Sequence, residues 1–419
     1  MKIETVWRAL RALKWNLLVS LLFYGFVTSV AHSTTIEAIF EKLQGENRAE
    51  GLRELQQLAD QGNAVAQTAM GDIYAGGIWV TQNFATAAFW RKRAAEQDYV
   101  PALNALGKHY VEGYGVAVDL ELARQYITKA AESGVAEFQF DAGTLYDNPE
   151  NSLYDPVQAA YWYELAAAQG LIDAEATLGS MKLEGRGLEK DLASARQLLL
   201  SAAKAGHAVA QNNLGLMYVR GVGTEQDYAA ALYWFREAVE QSHPQATTNL
   251  AVMYENGFGV PFDEQEAKRL YQLAGQQTAV NLASLVALIE FEFDERLKSF
   301  DEGVDGVELE RSANTGDPVA QYQYGWFLTE LNSTSDYATA GGYYMKSARS
   351  GLPSAMLNLG ILYLKGFGVP QDFIQGYHWI NTAASKNSAA AMRIRNQLLP
   401  FLTPQQLDQA QGESSGRAQ

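Results

Sequence analysis

A spacing of 36 residues constrains this chain more than any other feature. Gly71, Gly107, Gly143, Gly179 and Gly215 recur at that interval, Ala251 continues the register, and it resumes at Gly325 and Gly360. Other columns share the phase. Five residues before each glycine position stands Ala66, Ala102, Ala174, Ala210, Ala246, Ala320 or Ala355, with Phe138 the departure. Three after come Tyr74, Tyr110, Tyr146, Tyr218, Tyr254 and Tyr363. Twelve after come Asn83, Asp119, Asp155, Asp191, Asp227, Asp263 and Asp372, and nineteen after come mostly Trp or Tyr, as at Trp90, Trp162, Trp234 and Trp379. Such a period signals stacked supersecondary units, so the 419 residues need not divide into separate globular domains.

Each column has a physical task. The alanine, glycine and tyrosine positions lie on one stripe of a helix, where small residues let a second helix approach closely. Paired glycines such as Gly221/Gly223 and Gly366/Gly368 supply positive φ at the helix stop. The aspartate then caps a second helix. Capping boxes are expected at Asp155–Gln158, Asp263–Glu266 and Asp372–Gln375. One helix pair has too little core to stand alone, so neighbours must stack. The expected fold is all-α, an α/α superhelical solenoid of helix-turn-helix repeats.

The pattern A-x4-G-x2-Y-x2-G-x-G-V-x3-D-x3-A-x2-W-x3-A-A-x2-G resembles the Sel1-like repeat family, relatives of the tetratricopeptide repeats. The stretch Gly215–Val239 is similar to a near-consensus copy. The resemblance implies a scaffold or protein-binding role using the concave face, and no particular reaction. Some cysteine-rich relatives are linked to β-lactam hydrolysis, but this chain has no Cys with which to staple its repeats. An enzyme or glycan-binding protein acting on cell-wall material is the alternative reading.

Residues 1–31 look like a signal peptide. Lys2, Arg8, Arg11 and Lys14 precede the uncharged, mostly apolar run Trp15–Val30, and Ser29 and Ala31 suit cleavage after Ala31. An uncleaved inner-membrane anchor facing the periplasm is the alternative. The expected location is the periplasm. The remaining divisions are a degenerate capping repeat at 34–62, six repeats at 63–277, a degenerate acidic repeat at 278–316, two repeats at 317–387, a cap at 388–410 and a disordered tail at 411–419. In the acidic repeat we expect an overlong first helix, Ala279–Lys298, and a short second one, Val307–Asn314.

The formal net charge of −16 argues against nucleic acid as a partner. The glycine pairs lack a third glycine and a preceding strand, so they are turns and not nucleotide loops. Asp301-x-Gly303-x-Asp305-Gly306 partly mimics a calcium loop but has Ser312 where a bidentate Glu belongs. His207 and His243 occupy equivalent positions in adjacent repeats, expected roughly 10 Å apart and poorly placed to share a metal. No catalytic constellation stands out, and no cofactor or metal is expected; the expected partner is a protein. On the concave face, the column three before the glycine holds Tyr322 and Leu357, and the column one after holds Leu216, Val252, Trp326 and Ile361. These six are expected to form an apolar partner-binding patch; the alternative is that the overlong helix of the acidic repeat covers Trp326 and the patch is ordinary core. Asn213, Asn249 and Asn358 fill the neighbouring column.

Overall fold

The computed structural model describes residues 30–278, 281–297, 306–331 and 333–415, and among them there are helices and no strands. The signal segment lies almost wholly outside the described residues, as do residues 301–305 of the calcium-loop mimic and residues 416–419. The chain forms two compact units, one from residues 1–118 with 290–419 and one from residues 119–289.

The first unit begins with α1 (Val30–Gln44) and α2 (Arg48–Asp60), followed by α3 (Ala64–Gly76), α4 (Phe84–Ala95) and α5 (Val100–Glu112). The second unit contains α6 (Leu120–Ala131), α7 (Ala136–Asp147), α8 (Pro156–Ala167), α9 (Ile172–Glu184), α10 (Leu192–Lys204), α11 (Ala208–Arg220), α12 (Tyr228–Glu240), α13 (Pro244–Asn256), α14 (Glu264–Thr278) and α15 (Leu282–Leu288). The chain then completes the first unit with α16 (Gly306–Ala313), α17 (Pro318–Glu330), α18 (Thr334–Arg349), α19 (Pro353–Lys365), α20 (Phe373–Ser385), α21 (Ala389–Leu398) and α22 (Pro404–Ser415).

Within each unit the helices stack as pairs, and the glycine column explains their closeness. A Cβ at Gly215 on α11 would lie 2.6 Å from the ring of Phe235 on α12, and one at Gly360 on α19 would lie 2.6 Å from Ile380 on α20. The residue that fills the glycine's space stands twenty positions on, as Tyr163, Leu199, Phe235 or Ile380, and all four are buried. The tryptophans one position earlier flank that contact: Trp90, Trp162 and Trp379 are buried and Trp234 is half-buried. Gly221 ends α11 at φ 63° and Gly223 turns the chain at φ 69°, as the glycine pairs require.

The aspartates cap as expected, but the capping boxes form only by half. Asp155 accepts from the amides of Val157 and Gln158, Asp263 from Glu266, and Asp372 from Ile374 and Gln375. Their own amides donate instead to the tyrosine column: Asp155 to the Tyr146 carbonyl at 2.9 Å, Asp263 to Tyr254 at 3.0 Å, and Asp372 to Tyr363 at 2.9 Å. A side chain at the third helical position therefore has no free amide to reach. His207 and His243 are also caps, each accepting at 3.2 Å through Nδ1, from the amides of Ala210 and Ala246.

Two expectations fail in shape. The long helix expected over Ala279–Lys298 is not formed: α15 covers Leu282–Leu288, Ile289 is extended, residues 290–294 belong to no helix, and a 3-10 turn covers Glu295–Leu297. The run Ile289-Glu-Phe-Glu-Phe alternates apolar and acidic residues with a period of two, which suits an extended chain and not a helix. The tail expected to be disordered from 411 is helical to Ser415, because Gln411 is buried and accepts from the amide of Phe84 at 2.8 Å.

That last bond belongs to a larger junction, where the first repeats of this unit meet its last helices. Asn381 takes both main-chain groups of Gln82, accepting from its amide at 3.2 Å and donating to its carbonyl at 3.1 Å. Tyr377 donates to the Gln82 side chain, and Arg395 donates to the Gly76 carbonyl at 2.8 Å. Gln82, Asn381 and Arg395 are each at most 3% exposed.

Candidate functional site

The first helices of α17–α18 and α19–α20 hold a non-helical stretch of the chain's own backbone. Asn358 on α19, fully buried, accepts from the Glu292 amide at 3.0 Å and donates to the Glu292 carbonyl at 3.0 Å. Tyr322 on α17 donates to the same carbonyl at 3.0 Å and accepts from the Asp294 amide at 2.8 Å. Gln323, its neighbour, donates to the Leu297 carbonyl. Three side chains thus satisfy the main-chain groups that a non-helical segment, lacking a strand partner, would otherwise bury unpaired.

The side chains of the segment are met as well. Phe293 stacks 5.9 Å from the Tyr322 ring and packs 5.1 Å from Trp326, and Phe291 stacks 5.9 Å from Tyr337 of α18. Glu292 pairs with Arg393 of α21 at 2.7 Å, and Asp294 accepts from Ser354 of α19 at 2.8 Å. A two-pronged bond from Arg296, with help from Ser354, holds the Asp294 carboxyl down to about 2 against the desolvation that would raise it. Burial pushes the Tyr322 phenol well above its ordinary value, so it remains a neutral donor and acceptor.

The expected apolar patch is therefore not an open surface. Tyr322, Leu357 and Ile361 are at most 2% exposed, and half-buried Trp326 lies under Phe293. The aromatic rings that a sequence pattern marks as ligand seats are occupied by the chain itself. In the second unit, Leu216 is half-buried against the core around α12 and α13, and Val252 is 36% exposed on α13.

The binding groups that the apolar reading passed over share one column, two positions before the glycine. It reads Asn213, Asn249, Gln323 and Asn358 from the fifth repeat onward, and the last two grip main chain in the first unit. In the second unit Asn213 and Asn249 are half-buried and lie in a polar ladder. Asn213 donates to Ser180 of α9 at 2.8 Å, and Asn249 donates to Asn212 at 2.8 Å. The signal was the recurrence of amide side chains at one register, legible once the column was counted for hydrogen bonding and not for apolar character.

Among the described residues no group of three or more His, Asp or Glu side chains is placed to hold a metal ion, and no helix is long and apolar enough to cross a membrane.

The Sel1 repeat model matches residues 64–99, 100–135, 136–171, 172–207, 208–243, 244–278 and 353–388, more than half the chain. A search of curated proteins finds no match. Among solved structures, a Sel1 repeat protein from Oxalobacter formigenes is 27% identical over 59% of this chain and 99% of its own, with a TM-score of 0.52. A protective antigen of uropathogenic Escherichia coli strains, displaying an SLR fold, is 27% identical over 91% of this chain and 90% of its own, with a TM-score of 0.47. Seven matched repeats and a solved relative of like fold agree with the glycine, tyrosine and aspartate columns: the chain belongs to the Sel1 repeat family.

Proposed function

We propose that this protein is a protein-binding scaffold, exported to the periplasm, which holds extended segments of its partners on the face formed by the first helices of its repeats. The carrying observation is the paired grip of Asn358 on the amide and carbonyl of Glu292. That grip reads main chain and not sequence, and Asn213 and Asn249 repeat the same residue at the same register. Sel1 repeat proteins generally bind proteins, which supports the reading. The processes served are envelope assembly, signalling or polysaccharide export. The basic, then apolar, amino terminus supports export.

The experiment is an affinity capture from envelope extract, comparing wild type with the Asn213→Ala/Asn249→Ala variant, after circular dichroism shows both folded. A discrete partner identified by mass spectrometry and lost in the variant is expected. Capture of that partner unchanged by the double substitution would defeat the proposal. Amino-terminal sequencing of the exported chain tests the location, with His32 as the expected first residue.

A further inference from the structure

We infer that residues 290–294 are an internal stand-in for a partner peptide in which aromatic residues alternate with acids, and that such a peptide binds the α17–α19 groove when this strap leaves. The inference rests on the peptide-holding face proposed above and adds the chemistry of its ligand. Every residue of the strap is met by a groove group of matching kind. Phe291 and Phe293 are met by rings, Glu292 by Arg393, and Asp294 by Ser354. Glu290 is attracted to Lys365. Cations here face acids on a chain of net charge −16, so the local charge selects an acidic ligand against the overall field.

The division of burial has the form of a receptor and a ligand. Tyr322 and Asn358 are fully buried and Gln323 is 3% exposed, whereas Phe291, Glu292, Phe293 and Asp294 are only half-buried. The strap is short and its main chain contacts are with side chains, not with a sheet, so releasing it breaks no secondary structure. An intramolecular occupant lowers the apparent affinity for a competing peptide by the fraction of time the groove is open.

The probe is a fluorescein-labelled peptide of residues 288–296, titrated by anisotropy into the full chain, with a scrambled peptide of equal composition as control. Glu292→Pro removes the amide that reaches Asn358, in a stretch that belongs to no helix. Phe293→Ala removes the ring seated on Tyr322 and Trp326. Each folded variant is expected to bind the probe roughly tenfold tighter than wild type, because the competing strap is weakened. Adding Asn358→Leu to Glu292→Pro is expected to abolish that gain.

Equal binding of the scrambled peptide, or no binding by a folded variant, would overturn the inference. So would concentration-dependent dimerisation of the variants, which would make a second copy the occupant. In the unaltered protein, amide exchange at Glu292 and Asp294 is expected to be far faster than at the core amides of α19; equally slow exchange would show a permanent core segment and overturn it. Loss of probe binding with partner capture still dependent on Asn213 and Asn249 would sink the strap and spare the scaffold. Probe binding with no partner captured would do the reverse.

Discussion

At the scale of single residues, the repeat explains most positions by what their neighbours need. His109 on α5 shows how tightly. One ring nitrogen meets the Tyr114 carbonyl and the other meets the Arg91 guanidinium, which also pairs with Asp72 at 2.7 Å. Burial, and then the Arg91 charge, press the imidazole down to about 4, so it stays neutral at physiological pH. Its folded pKa lies below that of the unfolded chain. The stability it contributes is therefore present above about pH 6.5 and lost as pH falls toward 4, amounting to about 3 kcal/mol across that window. Urea denaturation at stepped pH should show that loss in wild type and a flatter profile in His109→Gln. Equal slopes in the two proteins would remove this role. Nothing in the sequence marked His109, because only Tyr114 is local and Arg91 arrives from the preceding repeat.

At the scale of elements, the glycine column sets helix spacing and the aspartate column sets helix starts. Gly215→Ala places a methyl 2.6 Å from Phe235, which is itself 1% exposed and has no room to withdraw. The expected cost is about 1–3 kcal/mol, measured as a lowered denaturation midpoint, with Phe235→Leu in the same chain recovering part of it. These helices were legible because each column repeats, and repetition separates a structural requirement from accident. The segment at 289–294 was misread for the opposite reason. It occurs once, follows a helical repeat, and contains residues that also suit a helix; only its period of two distinguished it. At Tyr322 and Trp326 the alternative of a cover applies, and the cover is Phe293 of this run in place of an overlong helix. The amide column was visible from the start as a neighbour of the one singled out.

At the scale of the whole molecule, sequence phasing says which segments are alike and nothing about which distant ones touch. The junction in the first unit is the clearest case. Gln82 and Asn381 are 299 positions apart, yet Asn381 pairs both main-chain groups of Gln82 in the way Asn358 pairs those of Glu292. No column relates these residues. Burial lowers the Arg395 guanidinium below its ordinary value, and it donates to the carbonyls of Gly76 and Gly77 and to the Asn396 side chain. Replacing Arg395 by Met removes a buried cation but leaves those carbonyls without it. A loss of about 1–3 kcal/mol is expected, together with faster proteolysis of the carboxy-terminal helices. An unchanged melting curve would show that the amino- and carboxy-terminal repeats of this unit are stable without their junction.

The most direct measurement is site-specific photo-crosslinking in the living cell, with benzoylphenylalanine placed at Val252, 36% exposed on the first helix that carries Asn249, and at Phe89 on an exposed second-helix position. If the amide column holds partner backbone, position 252 will link to a discrete protein and position 89 will not. Crosslinks from position 89 with none from position 252 would contradict the binding face itself.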